Sequence, residues 1–245
     1  MPKFFTHKSL ITDNTLTITG EEASHIVKTL RKKEGDIILV GDGEMTDYTC
    51  EIKKADKAAV LCRIVEKAEN QNEPNLKITL FQALPKQDKM ETVIQKCVEI
   101  GVTEFVPIDT KNSMVKIKSK EDKKIARWNK IAFSAAKQCG RGIIPEVMPL
   151  MDFKEAVQLA EKSFDKAVIP YENEKDYSIK SFASDFKGKS LGIFIGSEGG
   201  FDPSEIAFAK ERGITPLTMG KRILRTETAG LTASIIMLYE GGDLS

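Results

Sequence analysis

The chain has 245 residues, of which 41% are hydrophobic and 30% charged, and its formal net charge is +1. That balance fits a globular protein of one large domain or two modest ones, and any contact with nucleic acid is left to a local patch rather than to global basicity. Cys50, Cys62, Cys97 and Cys139 form no CxxC pair and have no histidine at zinc spacing, so reduced thiols and no metal site are expected. The start, MPKFFTHKSL, lacks the apolar core of a signal peptide, and no apolar run is long enough for a bilayer; a cytoplasmic protein with no membrane contact is expected.

Residues 1 to 68 read as β-rich. Leu16–Ile18, Asp36–Val40, Tyr48–Ile52 and Ala58–Val65 are short strand candidates, with turn signals at Gly41-Asp42-Gly43 and Lys54-Ala55-Asp56. One helix interrupts them at Gly20–Leu30, where Ile26, Val27 and Leu30 recur at helical spacing. Short strands with one helix suggest a small barrel. Glu69–Asn75 is polar and broken by Pro74, which marks a linker.

From Leu76 the rhythm alternates. Ile78–Leu84 reads as a strand, Lys89–Ile100 as an amphipathic helix stopped by Gly101, and Glu104–Ile108 as a strand. Lys111–Lys124 is basic and irregular, and Ile125–Gln138 is helical. Phe153–Ala160 reads as a helix and Lys166–Pro170 as a strand. Strand and helix in alternation argue for a parallel α/β sheet.

Residues 191–231 hold the candidate site. Leu191–Ile195 is a short apolar strand, followed at once by Gly196-Ser197-Glu198-Gly199-Gly200. Asp202-Pro203-Ser204-Glu205 is a helix start with a capping box, and that helix stops at Gly213. Pro216–Met219 is a further strand. A second loop, Gly220–Thr228, then feeds an apolar helix, Ala229–Tyr239. GSEGG is neither a P-loop nor a dinucleotide fingerprint, because no Lys-Ser/Thr follows and the GxGxxG spacing is missing. Alone it is also what a tight turn needs. Two glycine loops at the ends of two strands make one crevice, where open α/β sheets bind ligands. In the second loop Thr226 and Thr228 can each bond backbone groups at the start of the last helix. Arg225 and Glu227 are open to two readings, a solvated ion pair or part of a ligand site.

GSEGGFDPSE followed by LTMGKRILRTETA resembles the RsmE-type 16S rRNA uridine-N3 methyltransferases of the SPOUT superfamily. Similar motifs run through most of the chain. They include Gln95–Val102, Arg127-Trp128-Asn129-Lys130-Ile131, Ala136–Arg141 and, near the start, His25–Arg31. Ser197 stands where proline is usual, Ile100 where leucine is usual, and Lys3 where arginine is usual; a lysine there offers a point charge in place of a bidentate fork.

The resemblance implies a PUA-like β-barrel RNA-binding domain at 1–68, a linker at 69–75 and a SPOUT methyltransferase domain at 76–245. In that domain the chain would form a trefoil knot, a rare exception to unknotted folds. It implies S-adenosyl-L-methionine as cofactor, held by three loops. These comprise Pro170 in the first, Gly196, Glu198, Gly199 and Gly200 in the second, and Leu217, Met219, Gly220, Ile223, Leu224, Arg225 and Thr228 in and around the third. The implied partners are 16S rRNA of the small ribosomal subunit and a second copy of the chain. The last helix, with Leu231, Ile235, Ile236, Met237 and Leu238, is apolar enough for a dimer interface or for burial in the monomer. A SPOUT enzyme acting on tRNA or a ribose hydroxyl and a non-catalytic RNA-binding module are the alternatives.

Methylation at N3 requires a uracil that is unpaired or flipped outward and that loses its N3 proton. Arg225 is the candidate for stabilising the developing negative charge; Glu198 and Glu227 are candidates for orienting the base or accepting the proton. Glu198 bonding only loop amides is an equal reading. Lys86, Gln138 and Arg141 match family motif positions and are the candidates for contacts near the target; Lys3, Lys28, Arg31 and Arg127 are further candidates for holding RNA. Lys111, Lys116, Lys118, Lys120, Lys123, Lys124 and Lys130 add positive charge, as do Lys32 and Lys33, in stretches that also suit a solvated face. His25 reads as a packed or hydrogen-bonded helix residue rather than a base.

Overall fold

The structure, a computed structural model, describes residues 3–115 and 121–244. It divides into two compact units, Met1–Glu73 with Ala136–Ile144, and Pro74–Ala135 with Pro145–Ser245. The first therefore takes in a short segment, 136–144, that the sequence pattern assigns with the second.

In the first unit β1 (Lys3–Phe5) leads through a 3-10 turn at Lys8–Leu10 into β2 (Thr15–Thr19). Helix α1 (Gly20–Ser24) passes directly into one π-helical turn, His25–Thr29, and Arg31 follows at φ 53. Then come β3 (Ile37–Gly41), β4 (Thr46–Ala55) and β5 (Ala59–Glu69). The five strands lie in the order β1-β3-β4-β5-β2. Every second residue points inward: Leu16 and Ile18, Ile38 and Val40, Cys50 and Ile52, Val60 and Cys62 are all buried. They meet Phe4, Ala23 and Ile26 in one core. Burying each large aliphatic side chain there contributes about 1.5–3 kcal/mol. Two register shifts in the β4–β5 pair sharpen the twist. The Thr6 hydroxyl donates to the Thr17 carbonyl at 2.6 Å, joining the two edges of the curled sheet. Burial pushes the Cys50 and Cys62 thiols up to about 12, so both stay protonated and inert. His25 is exposed, its ring 6.3 Å from that of Phe4.

The stretch from Asn70 to Glu73 is built into this unit rather than loose. The Asn70 side chain donates to Asp47 at 2.8 Å and to the Gly140 carbonyl at 3.1 Å. Glu73 takes the Arg141 fork at 2.8 and 2.7 Å, and its Oε1 also accepts the Gly142 and Ile143 N–H groups. Lys3, 3% exposed, pairs with Asp47 at 2.6 Å and donates to the Arg141 carbonyl at 2.6 Å. Gly41 makes room for it, since a Cβ there would lie 2.8 Å from the Lys3 Cε.

In the second unit all strand pairs are parallel. The elements are β6 (Lys77–Ala83), α2 (Lys89–Ile100), β7 (Glu104–Asp109), α3 (Glu121–Cys139), β8 (Glu146–Val147), β9 (Met151–Asp152) and α4 (Phe153–Ser163). They continue with β10 (Lys166–Pro170), α5 (Ile179–Asp185), β11 (Ser190–Ile195), α6 (Pro203–Glu211), β12 (Thr215–Leu217) and α7 (Thr226–Glu240). The sheet order is β12-β10-β11-β6-β7-β8, with β9 also on β7. Strands β6 and β11 are buried along almost their whole length, as continuous apolar runs covered on both faces should be. Phe81 and Phe194 stack at 4.3 Å between ring centres, with Phe153 edge-on at 6.0 Å. Gly192 permits this layer, because a Cβ there would meet the Phe81 ring at 3.1 Å.

Helix α3 begins at Glu121, earlier than Ile125, and α7 at Thr226, earlier than Ala229. Helix α5, with Ser178 as its cap, and strands β1, β8 and β9 are too short to show a hydrophobic period. Asp202 and Glu205 form the expected capping box of α6. Helix α7 packs on α2, α5, β6 and β11. Gly230 lies close to Leu80, and Ser234, Met237 and Leu238 are buried, whereas Ile235 and Tyr239 stay 38% and 63% exposed. The helix is thus partly covered within its own chain.

Removing the Arg141 guanidinium strands a buried carboxylate. Arg141→Ala is expected to lower the unfolding free energy by about 3–5 kcal/mol in chemical denaturation. Burial by itself raises the Glu73 pKa, but the bonds from Arg141 and the two amides outweigh it and the net shift is downward. Glu73 therefore stabilises the fold above its unfolded pKa of about 4.3 and loses this as pH falls through its lower folded value. Denaturation midpoints measured on acidification should show that loss in the parent and less of it in Glu73→Gln.

Candidate active site

A cleft of about 1050 Å³ opens in the second unit at the C-terminal ends of β10, β11 and β12. This is where a parallel sheet exposes its loops to a ligand. The first loop contributes Pro170, Tyr171, Glu172, Asn173 and Lys175. The second is 196–201 and the third 218–225.

The second loop is shaped by its glycines. The Gly200 N–H donates to the Ser197 carbonyl at 3.0 Å, and Gly200 sits at φ +64. A Cβ on Gly196 would lie 3.1 Å from the Gly200 backbone, and one on Gly199 would lie 3.1 Å from Asn112. Asn112 fixes the loop from outside: its amide donates to the Gly199 carbonyl at 3.0 Å, and its carbonyl accepts the Ser197 hydroxyl at 3.1 Å.

The third loop is anchored at both ends. Thr218 N–H donates to the Tyr177 carbonyl at 2.8 Å, and Tyr171 N–H to the Leu217 carbonyl at 3.0 Å. At the far end Thr226 is buried. Its hydroxyl donates to the Gly196 carbonyl at 2.7 Å and accepts from the Gln82 amide at 2.9 Å. Thr226 therefore ties the loop to another loop and does not cap its own helix; the N-cap position belongs to Arg225. Between the anchors, the backbone N–H groups of Met219, Ile223 and Leu224 take no partner among the described residues. Gly220, at φ +104, has open space where a Cβ would be. Free amides on an open, glycine-containing loop fit the edge of an adenine and the polar parts of an amino acid.

Ten of the residues expected at the cofactor line the cleft. They are Pro170, Gly196, Glu198, Gly199 and Gly200 with Met219, Gly220, Ile223, Leu224 and Arg225. Leu217 is fully buried and Thr228 is exposed on the first turn of α7; neither lines the cleft. Arg225 is exposed and makes no ion pair among the described residues, so the Arg225–Glu227 pair does not form. Glu227 instead lies 3.4 Å from the Lys89 ammonium. Glu198 also meets Lys89, at 2.8 Å, and accepts the Lys86 N–H at 3.2 and 3.3 Å. Partial burial acts to raise the Glu198 pKa; the Lys89 hydrogen bond and loop amides outweigh it and hold the carboxyl below its usual range. Bonding to Glu198 raises the Lys89 pKa against partial desolvation.

The residues expected at RNA divide by burial. Lys28, Arg31 and Gln138 of the first unit are exposed, as are Lys86 and Arg127 of the second. Arg127 pairs with Glu91 at 2.7 Å. Lys3 and Arg141 are 3% and 2% exposed and bound to Asp47 and Glu73. Burial removes both from the set expected to touch RNA and makes them internal struts. Of the remaining basic residues, Lys116, Lys118 and Lys120 lie outside the described residues. Lys32 is half-buried, while Lys33, Lys123, Lys124 and Lys130 are exposed, and Lys111 meets Asp202 at 3.3 Å.

Gln82, Lys89, Asn112 and Glu172 belong to the site and were not expected there. Two carried a signal. Gln82 is a lone amide in an apolar strand, and a polar residue in a buried run needs a partner. Lys89 is a cation at the first position of a helix, where the dipole favours an anion. Among the described residues no group of His, Cys, Asp and Glu is placed to hold a metal, and no helix is long and apolar enough to cross a membrane.

A family model described as an RNA methyltransferase domain matches residues 71–238, and one described as an RNA methyltransferase PUA domain matches 18–65. Ribosomal RNA small subunit methyltransferase E of Bacillus subtilis (strain 168) is 38% identical over 232 residues, spanning 92% of this chain and 90% of that protein. The protein of the same name from Mesomycoplasma hyopneumoniae is 34% identical, spanning 94% and 96%. A crystal structure of the Neisseria gonorrhoeae methyltransferase E bound to S-adenosyl methionine superposes with a TM-score of 0.84 at 29% identity, covering 97% of this chain and 96% of that one. A Legionella pneumophila methyltransferase in complex with the same cofactor also gives 0.84, at 31% identity and 96% coverage of each. With an RNA methyltransferase model over most of the chain and relatives of this name above 30% identity along nearly their whole length, the chain belongs to the RNA methyltransferase family of the small-subunit methyltransferase E type.

Proposed function

We propose that this protein transfers a methyl group from S-adenosyl-L-methionine to N3 of a uridine in 16S rRNA of the small ribosomal subunit. The observation that carries the reading is the cleft itself: three loops whose free amides and glycine-opened backbone suit the cofactor, with Glu198, Lys89 and Arg225 on the wall. S-adenosyl-L-methionine, when bound, supplies an electrophilic methyl group on a sulfonium. The residues of the chain align the acceptor and handle its charge and proton. The amides of Met219, Ile223 and Leu224 and the carbonyls of the glycine loop hold the adenine and amino acid ends, with Pro170 and Glu172 facing them. Arg225, exposed at the start of α7 and without an ion pair among the described residues, has the freedom to meet a uracil oxygen as negative charge develops. Lys28, Arg31, Lys86, Arg127 and Gln138 are the surface residues assigned to RNA, and they would position the backbone without reading sequence.

The protein would act in the cytoplasm, where the subunit is built, as a homodimer. Ile235 and Tyr239, apolar residues exposed on a partly covered helix, support α7 as the contact between copies. A trefoil knot is part of the same reading. The bond from Thr226 to Gly196, which pins the last segment against the loop after β11, supports it.

Calorimetry with S-adenosyl-L-methionine tests the cofactor assignment: the parent should bind. Gly196→Ala, which forces a Cβ against Gly200, should weaken binding about tenfold, equivalent to about 1.4 kcal/mol. Absence of binding by the parent rejects the enzyme reading. Arg225→Ala should lower kcat about 100-fold while changing cofactor affinity less than about threefold; equal losses would assign Arg225 to the cofactor. Mass spectrometry of small-subunit rRNA from cells lacking the protein should show one N3-methyluridine missing, and an unchanged content would overturn the substrate.

A further inference from the structure

Lys89, Glu198 and Glu227 come from three separate parts of the second unit: the start of α2, the loop after β11 and the first turn of α7. One ammonium serves both carboxylates, at 2.8 Å from Glu198 and 3.4 Å from Glu227. The two acids are not equivalent. Glu198 lines the cleft and already accepts the Lys86 N–H. Glu227 stands outside the lining, and its Oε2 is buried without a hydrogen bond. Among the described residues Lys89 is the cation within ion-pair distance of it.

We infer that Lys89 is a positioning residue that joins Glu198 and Glu227 into a single proton-accepting unit for the methyl transfer. The inference rests on the reading above. Two carboxylates and one ammonium carry one net negative charge, so the cluster is balanced to take up one proton. The uracil N3–H bond breaks as an O–H bond forms on Glu198, the acid that faces the cleft. The N3 electron pair bonds the methyl carbon, and the sulfur–methyl bond breaks with its electron pair returning to sulfur. The positive charge of the sulfonium and the negative charge of the cluster are thereby both cancelled. As Glu198 becomes neutral its hold on Lys89 weakens, and Glu227 keeps the ammonium in place. Loss of the proton to solvent then resets the cluster.

The charged groups around the cluster are Lys86 and Asp88 just before Lys89, Arg225 at the N-cap of α7, Glu172 and Lys175 on the loop after β10, and Lys221 and Arg222 on the loop after β12. The neighbouring acid on α2, Glu91, is engaged by Arg127. None of these is within ion-pair distance of Lys89 among the described residues, which leaves Lys89 as the shared counter-charge.

The test is the pH dependence of kcat for methylation of small-subunit rRNA, with cofactor affinity and melting temperature measured beside it. Methylation by the parent protein at uridine N3 establishes the underlying reading; its failure rejects that reading and is visible before any variant is made. In Lys89→Met two carboxylates lose their common cation. The acidic limb should then move up by about one pH unit or more. Lys89→Arg should restore the limb to within about 0.3 units, since charge is what matters. Glu227→Gln should move the limb down, because Glu198 then has Lys89 to itself. Where Lys89→Met does not fold, Glu227→Gln decides alone. A limb that stays in place in the folded variants, with only affinity or stability altered, would overturn the inference and make Lys89 a structural tie.

Discussion

The Thr226 hydroxyl is the point on which the site depends. It donates to the Gly196 carbonyl and accepts from Gln82, so one buried side chain joins the central strand β6, the glycine loop after β11 and the start of α7. Gln82 is fully buried and Thr226 is 5% exposed. Hydrogen bonds in such surroundings are strong, and leaving either partner unpaired costs about 1–3 kcal/mol. That cost makes the register of the three elements stiff. The loops on either side are then free to be open, because their ends cannot move.

Polar groups are used differently in the two units. In the first, the buried Lys3 and Arg141 are paired with the half-buried Asp47 and Glu73, and their charges are consumed in holding the chain. In the second, Lys89, Glu198 and Glu227 are about three-quarters buried and share one cation among two acids. A saturated pair is a strut. Two acids on one cation beside the cleft form the cluster proposed to take up a proton. Charge type alone does not separate the two; burial and the number of partners do.

This contrast explains how far the sequence could be read. Helix α2 and strand β10 were legible to the residue, because Gly101 and the apolar period mark the first and Val168 and Ile169 the second. The capping box of α6 was legible because its two residues, Asp202 and Glu205, are local. The glycines of the cleft were legible for the same reason: their conformational freedom is a property of the residue. Elements too short for a period, such as α5 and β8, were not. Neither was the start of α7, whose first residues, Thr226 to Thr228, look like a loop until Gln82 and Gly196 are seen to hold them.

Which charged residues face solvent and which are internal was beyond the sequence. Lys3 and Arg141 look like Lys28 and Arg31 in a motif, yet the first two are sealed against acids far away in the chain. Lys89 looks like one more surface cation at a helix start. By itself, then, the sequence determined the alternation of strands and helices, the glycine loops and the family resemblance, all of which are set by neighbouring residues. The tertiary structure alone decided that Gln82 meets Thr226 and that Lys89 meets Glu198 and Glu227. Those pairs lie 144, 109 and 138 positions apart, and only the closed sheet brings such groups within bonding distance.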